Sequence, residues 1–361
     1  MPILAYVYPG WHPLAERDES FYPGFTEWDL VEATRPRFAG HRQPRLPALG
    51  RYDDRDPLAV AQRLGLALAH GVDGFVFGHF WCRGKRVFEA ALDEGFLAGP
   101  LGASAPFALM WANRMPRRVL PVRRADLPVI DPTRLVATDI ADFGAMFELL
   151  CARYFSRPNY LRLDGRVYFS IFDSTYFLKE LGPDGAREAI ERARHVVAAA
   201  GLGALHLAAI EPQAALLAEL AAIGFDSVTH YVLLPYWKGP FLQDYRATAA
   251  ARAAEWSTFA PATGLPYFPS VSPGWDASPR GADFGDKRPD KYPWWPIVVG
   301  ESPAAFAEAL TSALRFVGDA SRPVFVASLN EWSEGHYLEP DLQHGNGWLE
   351  AVLAARRAAG W

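Results

Sequence analysis

Read along the chain, short runs of branched and aromatic residues alternate with longer runs of Ala, Leu and Arg at helical spacing. The strand-like runs are Ile3–Pro9, Val72–Trp81, Pro106–Asn113, Val167–Ser174, Ala204–Glu211, Phe225–Val232, Tyr267–Ser272 and Pro323–Trp332. The helical patterns are Pro57–His70, Arg86–Leu97, Ala137–Phe155, Asp184–Ala200, Gln213–Ile223, Gln243–Ala260, Pro303–Val317 and Gly347–Ala359. Several strands are apolar through most of their length, as expected where both faces are buried. Eight strand–helix pairs predict an α/β fold, a single (β/α)8 TIM barrel spanning residues 1–361. A doubly wound open sheet would carry a glycine-rich phosphate turn after its first strand, and none is present. No linker divides the chain. Asp56-Pro57 and Ser302-Pro303 each place a capping side chain before a proline at the first helical position.

Long loops are predicted after strand one (Gly10–Asp56), strand three (Arg114–Val136) and strand seven (Pro273–Glu301). All follow the C-terminal end of a strand, the face on which barrels build active sites. Composition narrows the picture. With 41 acidic and 36 basic residues in 361, and a pI near 6.0, the chain has no electrostatic footprint for nucleic acid and no basic membrane patch. No apolar run approaches the ~18 residues that span a bilayer. The chain enters a core strand directly after Met1 and Pro2, so a cytoplasmic protein is the simplest expectation. Cys82 and Cys151, far apart in apolar runs, read as small core residues rather than a disulfide framework or zinc site. The nine histidines include no His-x-x-x-His pair, and no metal or cofactor is expected. Oligomeric state has no sequence signal.

The predicted strand ends collect chemically useful side chains. They are Tyr8 and Trp11; His79 and Trp81; Trp111 and Asn113; Asp173; Glu211; His230 and Tyr231; Trp275 and Asp276; and finally Asn330, Glu331, Trp332, Glu334 and His336. Carboxylates, amides, imidazoles and indoles gathered on one rim favour an enzyme over a structural barrel. Trp11, Trp81, Trp111 and Trp275 are expected to line the pocket, although indoles also plug cores. Glu331 follows the apolar run Pro323–Ala327, and Gly335 directly after Glu334 suggests a turn that brings both carboxylates to one cavity. Two carboxylates flanking a reacting bond suit general acid/base work on a sugar. A glutamate that caps a helix or pairs with an arginine is the alternative.

Several of these residues belong to a wider pattern. Asn330-Glu-Trp-Ser-Glu-Gly-His-Tyr-Leu-Glu-Pro340 resembles the closing motif of the WbsX family, a group similar to glycoside hydrolase family 99. Gly24-Phe-Thr-Glu-Trp28, Gln43-Pro-Arg-Leu-Pro47, Tyr52-Asp53, Gly71-Val-Asp-Gly-Phe75, Trp111-Ala-Asn113 and Ser272-Pro-Gly-Trp-Asp276 match the same family in order, which adds Glu27 to the expected site. The resemblance implies a (β/α)8 barrel and a retaining glycoside hydrolase acting on an α-linked, mannan-like or surface-polysaccharide glycan. It implies that Glu331 acts as a base on the substrate 2-hydroxyl, giving a 1,2-anhydro-sugar intermediate. Glu334 would protonate the leaving oxygen and later activate water. One departure is evident: the family pattern continues Trp-Ala-Asn with Glu and Trp, whereas this chain reads Trp111-Ala-Asn-Arg-Met-Pro116, followed by Arg117, Arg118, Arg123 and Arg124. The Arg114–Arg124 loop either recognises an anionic group on the glycan or is a solvated loop paired with Asp126 and Asp131.

WbsX proteins are also often labelled glycosyltransferases, through their association with surface-polysaccharide biosynthesis. That activity needs a nucleotide-sugar site, and the acidic run Asp53-Asp-Arg-Asp56 is the one imitation of an Asp-x-Asp metal motif; helix capping explains it more cheaply. An inactive carbohydrate-binding barrel is the third reading. It would keep aromatic platforms but would not need both Glu331 and Glu334.

Overall fold

Each apolar run forms a strand because its side chains find buried surroundings on both faces. A computed structural model describes residues 2–19, 21–113, 138–284, 290–318 and 321–361. The barrel strands are β1 (Ile3–Val7), β2 (Gly74–Cys82), β3 (Phe107–Trp111), β4 (Arg166–Ile171), β5 (Leu205–Ile210), β6 (Ser227–Thr229), β7 (Ser270–Val271) and β8 (Val324–Val326). They pair in parallel in the order β7-β8-β1-β2-β3-β4-β5-β6, and a parallel bridge between Val228 and Tyr267 joins the two ends. Six of the eight strands lie within the segments predicted for them, and β2 and β4 overrun theirs by one residue, Cys82 and Arg166. The fold is the (β/α)8 barrel.

An aromatic layer fills the barrel. Tyr6 of β1 stacks on Phe325 of β8 at 5.4 Å, Phe325 faces Tyr168 of β4 at 6.0 Å, and Tyr168 faces His206 of β5 at 5.7 Å. Burial, with Arg166 alongside, pulls His206 down to about 4, so it packs as a neutral ring. This layer is the floor on which the site is built, as layered side chains fill other barrels of this type.

The outer helices start where their caps predict. Asp56 accepts the Leu58 amide at 2.9 Å ahead of Pro57–Ala69, and Ser302 accepts the Ala305 amide at 3.2 Å ahead of Pro303–Val317. Gly347–Ala359 also follows its prediction. Two expectations need correction. The Arg86–Leu97 helix gives way to a hairpin, Lys85–Val87 pairing back on β2, with helix only over Ala91–Phe96. Arg83 (φ 47°) and Gly84 (φ 79°) are both left-handed, the geometry of a tight primed turn. The Gln213–Ile223 pattern forms a 3-10 helix over Ala214–Glu219 with α-helix only over Leu220–Ile223. The helix expected from Asp184 does form, preceded across a kink at Gly182 (φ 66°) by a further helix that starts at Ser174, where Asp173 accepts the Tyr176 amide at 2.8 Å.

The loop after β1 holds the short helices Ala15–Asp18 and Glu27–Ala33. The loop after β7 holds Ser278–Phe284 and a strand, Ile297–Val299, that pairs with Leu242–Asp244. The Arg114–Arg124 segment lies outside the described residues. Among those residues, no helix is long and apolar enough to cross a membrane. Both cysteines are buried and neither is in a disulfide, and burial lifts the Cys151 thiol to about 11.

Candidate active site

The chain turns back on itself beyond β8. Asn330–Glu331 pairs antiparallel with His336–Tyr337, and a single helical turn, Trp332–Glu334, joins them. Gly335 completes the reversal at φ 70°; a Cβ there would lie 2.9 Å from the backbone N and O of Asp276, so only glycine fits. The reversal sets the Glu331 and Glu334 side chains on one cluster, and the loops after β1 and β7 supply its other members. Asn330 anchors the segment: its Oδ1 accepts the Tyr8 amide at 2.8 Å and its Nδ2 donates to the Tyr8 carbonyl at 2.9 Å.

Arg280, from the loop after β7, holds the two glutamates. Its Nη2 donates to Glu331 Oε1 and its Nη1 to Glu334 Oε1, each at 2.7 Å, while Nε donates to Ser333 Oγ at 3.0 Å. Tyr292 Oη also donates to Glu334 Oε1 at 2.7 Å. Each glutamate then has its Oε2 against a different ring: Tyr231 Oη donates to Glu331 Oε2 at 3.3 Å, and His336 Nε2 lies 3.3 Å from Glu334 Oε2. Behind Arg280 stands Glu27, buried, with Oε2 3.4 Å from Arg280 Nε. Glu27 Oε1 accepts from Tyr8 Oη and, at 2.5 Å, from Arg17 Nη2.

Three carboxylates (Glu27, Glu331, Glu334) thus face two guanidiniums (Arg17, Arg280), which leaves one negative charge in excess. Buried ions without full compensation change protonation instead. Burial, reinforced by the charges of Glu334 and Glu27 and only partly opposed by Arg280, holds the Glu331 carboxyl well above its usual range. Burial pushes Glu334 the same way, but Arg280 and the hydrogen bonds from His336 and Tyr292 outweigh it and bring it down to about 2. These opposite directions favour a proton on Glu331 over one on Glu334. The roles implied by the sequence resemblance require it on Glu334.

The other expected site residues divide into three groups. Tyr8, Glu27, Tyr231, Trp275, Asn330 and His336 gather around the pair; Trp275 stacks on His336 at 5.5 Å with ring planes 15° apart. Asn113 and Asp173 brace the ends of β3 and β4 against each other, through Asn113 Nδ2 to the Asp173 carbonyl and the Asp173 amide to Asn113 Oδ1, at 2.8 and 2.7 Å. Glu211 accepts the Tyr231 and Val232 amides, which positions Tyr231. Asp276 is fully buried beneath the cluster and binds His41, Gln43 and the Ser278 amide. His79 is buried beside Trp81, with burial pulling it down to about 3; Trp81 donates to Asp142.

The third group packs away from the pair. Trp11 stacks on Trp28 at 4.0 Å and donates to the Asn330 carbonyl. Trp111 packs on Phe143 and Phe177. Trp332 stacks on Tyr337 at 3.7 Å and donates to Glu339. His230 bonds Tyr267 and packs on Phe259 of the outer helix. Trp11 and Trp111 are therefore core residues rather than pocket lining. Sequence reasoning missed Arg280, Arg17, Tyr292 and Ser333; Ser333 lies inside the quoted motif, but nothing in local pattern marks the others.

Among the described residues, one His/Asp/Glu/Cys group has ligand atoms within 4.8 Å of one another: His12, Asp53 and Asp54. Its oxygens are committed, Asp54 to the Trp11 amide and His12, and Asp53 to Arg55. Asp56 caps its helix.

Fold and cluster together define a (β/α)8 protein with a buried carboxylate pair at the C-terminal ends of its strands. The chain belongs to the WbsX family: the family described as Glycosyltransferase WbsX matches residues 3–352. It is 31% identical over 373 residues to the uncharacterized protein WxcX of Xanthomonas campestris pv. campestris, covering 98% of this chain and 49% of that protein. The chain thus spans about half the length of the curated relatives it matches. Its fold is similar to the GH99 endo-alpha-mannosidase of Bacteroides thetaiotaomicron, with TM-score 0.59 and 16% identity over 99% of this chain and 98% of that one. It is also similar to a glycoside hydrolase-like protein, with TM-score 0.62 and 15% identity over 98% and 93% of the two chains. At these identities the likeness is one of fold.

Proposed function

We propose that this chain is a retaining glycoside hydrolase that cleaves an α-linked, mannan-like or surface-polysaccharide glycan at Glu331 and Glu334. One observation carries the reading: Arg280 takes Oε1 of both glutamates, which holds the two carboxyl groups together with their Oε2 atoms beside Tyr231 and His336. A buried carboxyl and carboxylate held at fixed separation are what acid/base cleavage of a glycosidic bond uses. The endo-alpha-mannosidase likeness supports the choice of an α-linked substrate.

In this reading one glutamate draws the proton from the sugar 2-hydroxyl, whose oxygen closes on the anomeric carbon as the leaving oxygen takes a proton from the other. Water then opens the 1,2-anhydro sugar with net retention. The family motif gives the base role to Glu331 and the acid role to Glu334; the charges around the pair favour the reverse. Aryl glycosides with good leaving groups separate the two, since they need little protonation. Whichever Gln variant they rescue marks the acid. A 2-deoxy substrate is expected to be inert.

The experiment is incubation of the purified protein with α-linked manno-oligosaccharides and surface-polysaccharide fragments, with product anomers followed by NMR. Products with inverted anomeric configuration would exclude the retaining route. The family's description supports a second reading, glycosyl transfer; turnover of a nucleotide sugar, with none of the glycans cleaved, would establish that activity instead.

A further inference from the structure

An aromatic path leads outward from the glutamates. His336 contacts Glu334, Trp275 stacks on His336 at 5.5 Å, and Trp237 meets Trp275 edge-on, with ring centroids 4.8 Å apart and planes at 88°. Burial falls along the path: Trp275 is 4% exposed and Trp237 48%. A singly exposed apolar side chain is ordinary on a protein surface. The loop that carries Trp237 is not ordinary.

That loop follows β6 and is pinned on both flanks of the tryptophan. Gln243 accepts the Tyr236 amide at 2.8 Å and donates to the carbonyls of Tyr236 at 2.9 Å and Pro240 at 3.1 Å. Arg252 donates to the carbonyls of Leu234 and Pro235 and lies 3.8 Å over the Tyr236 ring. Tyr236 Oη donates to Glu255, and Trp295 Nε1 donates to the Gly239 carbonyl. Fixing a loop this thoroughly costs conformational entropy. Here the ordering holds a large indole half in water, at right angles to a second indole and at the same end of the barrel as the carboxylate pair.

We infer that Trp237 and Trp275 form an outer sugar subsite, a corner that receives a pyranose ring of the glycan beyond the one held at Glu331 and Glu334. The inference rests on the hydrolase reading above and deepens it. The apolar C–H face of a hexopyranose lies on the exposed indole face of Trp237, while the edge contact with Trp275 fixes the angle at which that ring is presented. The ligand this geometry selects is an oligosaccharide rather than a monosaccharide, since the corner is separated from Glu334 by two ring contacts. Trp237 touches no reacting atom, so its contribution belongs to binding and grows with the length of the chain bound.

The test compares wild type with Trp237→Ala and Trp237→Phe on α-linked manno-oligosaccharides of graded length and on a short aryl mannoside. Stacking on an aromatic ring elsewhere is worth about a tenfold change in affinity or more. The expected result is a rise in KM of about that size for Trp237→Ala on the longest members, shrinking steadily toward the aryl mannoside, with kcat changed far less and Trp237→Phe recovering most of the loss. The longer saccharides should also perturb the tryptophan fluorescence of wild type more than that of Trp237→Ala. Thermal melting checks that both variants are folded. Wild-type cleavage of the series with a Trp237→Ala penalty that is absent, or equal at every length, overturns the subsite alone. Failure of wild type to bind or cleave any member overturns the mannan-like hydrolase reading, and the subsite with it.

Discussion

Two buried charge clusters sit side by side above the barrel, and they differ in how completely their charges are balanced. In one, Asp276 Oδ2 accepts from His41 Nε2 at 2.8 Å and Gln43 Nε2 at 2.6 Å, Oδ1 accepts the Ser278 amide at 3.1 Å, and Arg45 stands 3.7 Å away. Glu301 beside it pairs with Arg42 and, at 2.8 Å, with Arg45. Burial opposes ionisation of Asp276, but His41 and Arg45 overcome it and hold the carboxyl well below the usual range. In the other, Glu331 and Glu334 share one guanidinium and have an excess of negative charge; burial and that excess raise Glu331, while Arg280 holds Glu334 low. The balanced cluster locks the chain. The unbalanced one sets its two carboxyl groups apart in their hold on a proton.

The largest way to break this comparison is to neutralise the glutamates. Glu331→Gln and Glu334→Gln should each lower the rate on an unactivated glycan by about 10²–10⁴-fold, the usual worth of acid–base catalysis, with melting temperature nearly unchanged. Near-full activity in either variant would remove that residue from the chemistry. Asp276→Asn should behave in the opposite sense. It strips a buried carboxylate from its cationic neighbours, and urea unfolding should show a loss of about 3–5 kcal/mol. An unchanged midpoint would mean that the locking role assigned to Asp276 is wrong.

Arg280 links the glutamates to the rest of the fold, and its replacement sharpens the contrast. Arg280→Gln removes the charge that depresses Glu334, so the ionised form should be lost at a higher pH as acid is added. The acidic limb of the kcat/KM profile should move up by about 1–3 pH units, whereas Arg280→Lys, which keeps the charge, should move it less. Equal profiles for all three proteins would refute this role.

The smallest effect concerns Glu339. Burial, only partly offset by Arg63 and by hydrogen bonds from Trp332 and Tyr52, raises it from 4.5 to about 7. A carboxyl raised on folding stabilises the protein below its unfolded pKa, and that contribution is lost as pH rises through the folded value. Wild type should therefore lose up to about 1.4 kcal/mol of stability per pH unit across that window. Glu339→Gln should flatten the slope and melt higher than wild type at pH values above about 7, where wild type has had to ionise the group. Parallel stability curves between these pH values would contradict it.

The barrel was readable in the sequence because its signal is spread over many residues. Runs such as Phe75-Val-Phe77 are apolar on both faces, and Ser302-Pro303 and Gly318 bracket a helix at both ends. The hairpin after β2 was hidden because two residues, Arg83 and Gly84, decide it. The glutamates were legible through their motif and through Gly335. Arg280 was not, since a lone arginine in a loop has no period and its partners Glu331 and Glu334 lie 51 and 54 residues away. The indoles misled for a related reason. Trp111 ends its strand and Trp11 lies four residues beyond β1, but a side chain there can turn inward as readily as toward a ligand, and each indole N–H found a backbone carbonyl.

The Asn330 side chain clasps the backbone of Tyr8 across 322 residues. During synthesis, most of the helices can form and dock long before residue 330 leaves the ribosome, because their contacts are local. The pocket cannot. Glu27 contacts Arg280 and Arg280 contacts Glu331 across long sequence separations, and the reversal that carries Glu331 follows β8, which pairs with β1. On the hydrolase reading proposed above, an assay of turnover during refolding is expected to time the closing of the ring rather than the gain of helix.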